Sequence, residues 1–200
     1  YVAYDDDLFP SLDIFDLSSS TAPSVVGTLA SSGFDGASGI YVSGKYAYVV
    51  SQTNDSLQIV DVSNPLAPVI AGSITSPTSL NGASAVYVSG KYAYVANTVD
   101  NSLRIIDISN PSTPTIIGGV ASSTVLKGAA SVYVSGGYAY VTAGNSLRTI
   151  LVSNPSSPTI VGGVTSTALA RATDVKVAGK YAYVTAGSDN ALRIIDIASS

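Results

Sequence analysis

Nine residues, Tyr41-Val42-Ser43-Gly44-Lys45-Tyr46-Ala47-Tyr48-Val49, recur unchanged as Tyr87 to Val95, and again as Tyr133 to Val141 with one change, Gly137 for Lys. A weaker copy runs from Lys176 to Val184. The Tyr-Ala-Tyr starts fall at 46, 92, 138 and 181, so the steps are 46, 46 and 43 residues. A second block follows each time: Ser56-Leu57-Gln58-Ile59-Val60-Asp61-Val62-Ser63-Asn64-Pro65, then Ser102 to Pro111, then Ser146 to Pro155. Ala191 to Ile197 opens the same block once more, and Ser11-Leu12-Asp13-Ile14-Phe15-Asp16-Leu17-Ser18 is a diverged fifth copy. Self-similarity at one step restricts the chain to stacked copies of a supersecondary unit that cannot bury its apolar face alone.

Each period reads as four strands. Ala85-Val86-Tyr87-Val88-Ser89 ends at Gly90-Lys91, and Tyr92-Ala93-Tyr94-Val95-Ala96 follows two residues later, the spacing of a tight hairpin. Leu103 to Ile108 is the third strand, closed by Ser109-Asn110-Pro111, because proline cannot donate to a ladder. Thr115 to Val120 is the fourth. No segment has a helical apolar period, so the chain is all-β. In Leu103-Arg104-Ile105-Ile106-Asp107-Ile108 both alternating faces are mainly apolar, as expected of a strand covered on two sides. Four-stranded antiparallel blades of this length, packed face to face around an axis, describe a β-propeller; β-solenoid coils are usually much shorter.

Leu57-Gln58-Ile59-Val60-Asp61, Leu103-Arg104-Ile105-Ile106-Asp107 and Leu192-Arg193-Ile194-Ile195-Asp196, with the preceding Tyr-Ala-Tyr-Val and the following Ser-Asn-Pro, resemble the LVIVD repeat. The resemblance covers nearly the whole chain. It implies a β-propeller, usually in exported or surface-displayed bacterial or archaeal proteins, and it implies no reaction. The fourth copy departs from the pattern: Leu147-Arg148-Thr149-Ile150-Leu151 has Leu151 in place of the aspartate.

Within a single domain over 1–200, the repeats fall at approximately 1–29 (partial), 33–75, 79–120, 125–164 and 171–197 (partial). This is about 4.5 to 5 blades, with 18 strands where five full blades need 20. The first blade lacks its inner strand and the last its outer one, so simple closure fails. The chain is then a fragment of a larger ring, or another chain completes it by edge pairing. The start, Tyr1-Val2-Ala3-Tyr4, has no Met and no basic region, as expected of a processed, truncated or incompletely represented chain without a visible signal peptide.

Composition narrows the chemistry. The chain has no Cys, His, Met or Trp, and all 13 acidic residues are Asp. Serine has no imidazole to activate it, no nucleophile elbow is present, and no phosphate-cradling glycine motif occurs. Charged residues make up 11% of the chain, against about 25% in ordinary domains. A net charge of −4 argues against a nucleic-acid partner. Mean hydropathy is +0.36, yet no run approaches the roughly 18 apolar residues of a spanning helix, so no membrane insertion is expected.

Three residue sets are candidates for a role. Asp61, Asp107 and Asp196, with Asp16, end strands where a carboxylate accepts N–H bonds from the coming turn, and are read as structural turn caps. Propeller ligands sit over the channel, on loops entering the inner strands. There Asp35, Asn81, Lys127 and Ala170 share one position, and Gly36, Gly82, Gly128 and Arg171 the next. Asp174 stands where other copies have Gly39, Ala85 and Ser131. Asp35, Asn81, Lys127, Arg171 and Asp174 are therefore the candidate ligand-binding residues, against the plainer reading of variable surface loops. Asp5-Asp6-Asp7 is a candidate Ca²⁺ site, against the plainer reading of ordinary turn residues. Regular tyrosines suit inter-blade packing better than a carbohydrate platform.

These readings lead to a non-catalytic extracellular or cell-surface propeller with a structural, adhesive or protein-association role, self-assembling through unpaired blade edges. Its partners are other protein chains, including copies of itself, and it needs no cofactor. The alternative is a ligand-binding propeller that recognises a glycan or Ca²⁺ at the channel mouth. A third reading is a fragment of a propeller enzyme.

Overall fold

The computed structural model describes residues 1–4, 10–188 and 190–198. Their strands form five antiparallel sheets that follow one another along the chain. Sheet I holds β1 (Val2–Tyr4), β2 (Ser11–Asp16) and β3 (Ser24–Ala30). Sheet II holds β4 (Ala37–Ser43), β5 (Tyr46–Ser51), β6 (Ser56–Asp61) and β7 (Val69–Thr75). Sheet III is β8 (Ala83–Ser89), β9 (Tyr92–Asn97), β10 (Ser102–Asp107) and β11 (Thr115–Ala121). Sheet IV is β12 (Ala129–Ser135), β13 (Tyr138–Ala143), β14 (Ser146–Leu151) and β15 (Thr159–Thr165). Sheet V is β16 (Ala172–Ala178), β17 (Tyr181–Ala186) and β18 (Ala191–Asp196). These are the blades of a β-propeller, and among the described residues they do not close into a ring.

The hairpin between inner and second strands turns through two residues, with Gly44, Gly90, Gly136 and Gly179 at φ of 57–59°, which glycine adopts without Cβ strain. Tyr46 then pairs with Asp61 and Ser51 with Ser56 across β5 and β6. The register shifts by one residue between Ile59 and Val60, and at the matching place in blades I, III and IV, so each outer strand carries a bulge.

The core lies between blades. Tyr48, Val50, Leu57 and Ile59 of blade II meet Leu80, Ala83, Val86, Ala93, Val95 and Ile106 of blade III. The same layers recur between III and IV and between IV and V. Each second and third strand therefore has two apolar faces, one for each neighbour. A buried Leu or Ile side chain contributes about 1.5–3 kcal/mol, so these interfaces dominate the stabilisation.

Phe34, Leu80, Leu126 and Leu169 enter the same layers from the loops before the inner strands. They recur at the steps of the Tyr-Ala-Tyr starts. Around two of them the loop winds into a single 3-10 turn, Ser32–Phe34 and Thr167–Leu169, each capped by the preceding serine.

Blades also interlock at their rims. A Cβ placed on Gly27, Gly72 or Gly118 would overlap the carbonyl oxygen of Pro65, Pro111 or Pro155 of the following blade. Asp55 and Asn101 sit at φ of 48° and 52°. Their side-chain oxygens accept hydrogen bonds from the next blade's Gly82 and Gly128 N–H groups, at 3.0 and 2.8 Å.

Candidate functional site

The inner strands β4, β8, β12 and β16 stand side by side and line a concave wall of about 410 Å³. Ser38 fixes their spacing: its Oγ lies 2.6 Å from the Ala83 carbonyl oxygen of the next blade. Ser84 repeats the contact with Ala129 at 3.2 Å and Ala130 at 3.0 Å.

Two rows of side chains cross this wall. Tyr41, Tyr87 and Tyr133 occupy one register, each paired with Tyr48, Tyr94 or Tyr140 of the second strand. Their ring centroids are 4.8 and 4.7 Å apart, with planes tilted by 52° and 50°, within the contact range of aromatic pairs. Burial, followed by hydrogen bonding to the Tyr133 and Tyr41 hydroxyls, pushes the Tyr87 phenol well above its ordinary range. In blade V the register passes to Lys176, opposite Tyr183.

The second row is Gly39, Ala85, Ser131 and Asp174, opposite Val50, Ala96, Thr142 and Thr185. It grows in size and polarity from blade II to blade V. A Cβ on Gly39 would come within 2.9 Å of the Ser84 carbonyl oxygen, so nothing larger fits there. At the other end the Ser131 hydroxyl donates to Asp174 Oδ1 at 2.7 Å, and Lys176 Nζ lies 3.5 Å from the same oxygen.

Of the five candidate ligand residues, Asp174 lines this wall. Asp35, Asn81, Lys127 and Arg171 lie one per blade in the loops that enter the inner strands, and none of them lines the groove. Asp35 caps the first 3-10 turn, and its carbonyl oxygen accepts from the Ser51 hydroxyl. Arg171 takes φ of 54° where Gly36, Gly82 and Gly128 take 66–73°. Its carbonyl accepts from Gly187 N–H at 3.0 Å. Asp5, Asp6 and Asp7 lie outside the described residues. Among the described residues, no group of three His, Cys, Asp or Glu is placed to hold a metal ion.

Asp16, Asp61, Asp107 and Asp196 accept hydrogen bonds at 2.8–2.9 Å from the backbone N–H groups of Ser18, Ser63, Ser109 and Ala198. At Asp61 and Asp107 the Ser63 and Ser109 hydroxyls favour the carboxylate most, and the backbone N–H bonds add to them. All four acids are therefore held below their ordinary value, Asp61 at about 2.

Lys45 and Lys180 lie 3.1 and 3.3 Å from Asp61 and Asp196. Each also lies over the adjacent tyrosine ring, Tyr46 or Tyr181, about 5 Å from its centroid. The blade with Leu151 for the aspartate also has Gly137 for the lysine.

The sequence signs of the wall were two. Gly39, Ala85, Ser131 and Asp174 differ within an otherwise constant strand, and Tyr41, Tyr87 and Tyr133 give way to Lys176. Reading the loops alone leaves the tyrosine row out.

Among the described residues no helix is long and apolar enough to cross a membrane. No curated protein matches the sequence. Among solved structures the fold is similar to the periplasmic gluconolactonase PpgL of Pseudomonas aeruginosa, with TM-score 0.77 and 15% identity over 94% of this chain and 59% of that one. A functionally unknown protein from Desulfotomaculum acetoxidans gives 0.72 and 16% over 93% and 62%. Apo AztD from Citrobacter koseri gives 0.57 and 20% over 99% and 56%. At these identities the likeness is one of fold, and the chain spans about three fifths of the length of these proteins. The LVIVD repeat matches residues 36–76, 82–122, 127–166 and 170–200. With these matches covering four of its five blades, the chain belongs to the LVIVD-repeat family of β-propellers.

Proposed function

We propose that this chain is a non-catalytic propeller module, extracellular or displayed at a cell surface, that works by association with protein and takes a second copy of itself as partner. The observation that carries the reading is the contrast between blade V and its neighbours. Leu192 and Ile194 are 62% and 61% exposed, whereas Leu57, Leu103, Ile59 and Ile105 at the same repeat positions are fully buried. At the other end Val2 and Leu17 are 41% and 71% exposed, where their counterparts Val49 and Val62 are buried.

These are the two halves of the interface that blades II, III and IV form with one another. The face of blade V matches in register the face of blade I, so the same packing can join it to a further blade or, as proposed here, to blade I of a second copy. Such a head-to-tail contact is heterologous and builds rings or filaments.

The non-catalytic part rests on chemistry: without His, Cys or Glu, neither an imidazole base nor a thiolate nucleophile is available. The location rests on the family resemblance, and a secretion assay on the full-length gene tests it.

Light scattering over a concentration series is the test of association. Mass should rise with concentration, and Leu192→Lys with Ile194→Lys should return the protein to a monomer that melts at the temperature of dilute, monomeric wild type. A wild-type protein that stays at 20.2 kDa at the highest concentration would overturn the assembly reading.

A further inference from the structure

We propose that the concave wall of β4, β8, β12 and β16 binds a neutral saccharide, lying along the Tyr41–Tyr87–Tyr133 row and held at its end by Asp174, Lys176 and Ser131. This site is separate from the exposed blade faces through which copies associate.

The wall has the size of a small-molecule site, about 410 Å³. Its polar groups are gathered at one end. Both departures from the repeat, Asp174 for Gly39 or Ala85 and Lys176 for tyrosine, fall in one strand, two residues apart, on the same face. Packing alone does not call for them, since tyrosine fills the Lys176 register in three other blades.

Charge decides the ligand class. Asp174 and Lys176 are the two charged side chains among the residues lining the wall, and they lie 3.5 Å apart. Together they bring no net charge to a ligand, which disfavours both an anion and a cation. A carboxylate beside an ammonium instead offers acceptor and donors side by side, which suits neighbouring hydroxyls on a sugar. Ser131 and Lys176 both contact Oδ1 of Asp174, and Oδ2 has no protein partner among the described residues. Asp174 is half exposed, so that oxygen is open to a ligand hydroxyl.

The tyrosine row supplies the remainder. The three rings contact one another in sequence, at 4.8 and 4.7 Å between centroids, so their hydroxyls form a row of donors and acceptors along the wall. The rings also give apolar area for sugar C–H groups. At the opposite end, Gly39 brings no polar side chain, and its lack of a Cβ lets the strand approach the Ser84 carbonyl of the next blade.

Saturation-transfer NMR tests this on the intact chain, using glucose, galactose, N-acetylglucosamine, cellotetraose and chitotetraose, with gluconate and glucosamine as charged comparisons. At least one neutral sugar should show transfer. Asp174→Asn should weaken it about tenfold, the loss of a charge-assisted hydrogen bond. Tyr87→Phe keeps the ring and should weaken binding as well, and the melting temperatures of both variants show that each is folded. Leu192→Lys with Ile194→Lys should leave binding unchanged, which separates this site from association. No transfer from any neutral sugar, binding of a charged sugar alone, or equal affinity in wild type, Asp174→Asn and Tyr87→Phe would each overturn the proposal.

Discussion

The carbonyl oxygen of Pro111 occupies the space that a Cβ on Gly72 would need. The two residues belong to different blades, and Gly118 and Pro155 repeat the contact one blade on. Asn-Pro thus ends a strand and also seats the turn against the bulge of the blade before it.

Replacing Gly72 or Gly118 with Ala forces that seat apart. Each substitution should cost about 1–3 kcal/mol, the usual penalty for overpacking. Urea denaturation measures it, and a midpoint equal to wild type would mean that the rims are not in contact in solution.

Leu103 and Leu192 hold the same repeat position but differ in burial, fully buried against 62% exposed. Leu103→Ala should cost about 2–5 kcal/mol through lost transfer energy and a cavity. Leu192→Ala should change the stability of the monomer by no more than about 0.5 kcal/mol. Equal effects at low protein concentration would show that blade V is covered in the monomer.

Arg171 holds φ of 54°, where a side chain with a Cβ costs about 1–2 kcal/mol. Glycine at this position gives back about 0.5–1 kcal/mol through a freer unfolded chain. Arg171→Gly should therefore raise stability by up to about 1.5 kcal/mol, seen as a higher melting temperature. A lower one would show that the Arg171 side chain itself contributes to the fold.

Acid should unfold the protein through its turn caps. Asp16, Asp61, Asp107 and Asp196 are all held below their ordinary value of 3.8, Asp61 at about 2. A depressed carboxyl stabilises the fold above its unfolded pKa, and that contribution is lost as pH falls through the folded one. Melting temperature should therefore be level from about pH 5 to about pH 10 and decline below about pH 5 towards about pH 2. Asp61→Asn should start lower and flatten the decline. A wild-type profile that stays level through this window would show that the caps do not contribute.

The raised lysines act in the opposite sense. Lys45, raised chiefly by Asp61, and Lys180, raised by Tyr181 and Asp196, stabilise the fold below the ordinary lysine pKa. That contribution is lost as pH rises through their folded values. Above pH 10.5 melting temperature should fall less in a Lys45→Gln variant than in the wild type, and an identical alkaline slope would remove the pair from the account.

Fold class was legible in particular residues. Gly44 to Tyr46 specifies a tight hairpin from chemistry confined to a few residues, and Leu103 to Ile108 shows two apolar faces in six letters. The wall was legible in part. Asp174 stood out against Gly39 and Ala85, but the tyrosine row read as packing, because spacing along one strand does not say what a ring meets in the next blade. Phe34, Leu80, Leu126 and Leu169 followed the repeat step yet sat in segments that read as loops. A single apolar residue among Ser, Thr and Gly carries no period of its own.

The sequence by itself determined the strands, their order, the turns between them and the aspartate capping of the third strand in blades I, II, III and V. Those features come from backbone preferences and from hydrogen bonds spanning about two residues, which a short stretch of chain can specify. Only the tertiary structure decided which faces are covered, that Gly72 meets Pro111, and that Tyr87 stands between Tyr41 and Tyr133 beside Asp174 and Lys176. Those relations join residues about one repeat apart. They depend on how each twisted sheet is rotated against the next, a geometry set jointly by the packing of all the blades.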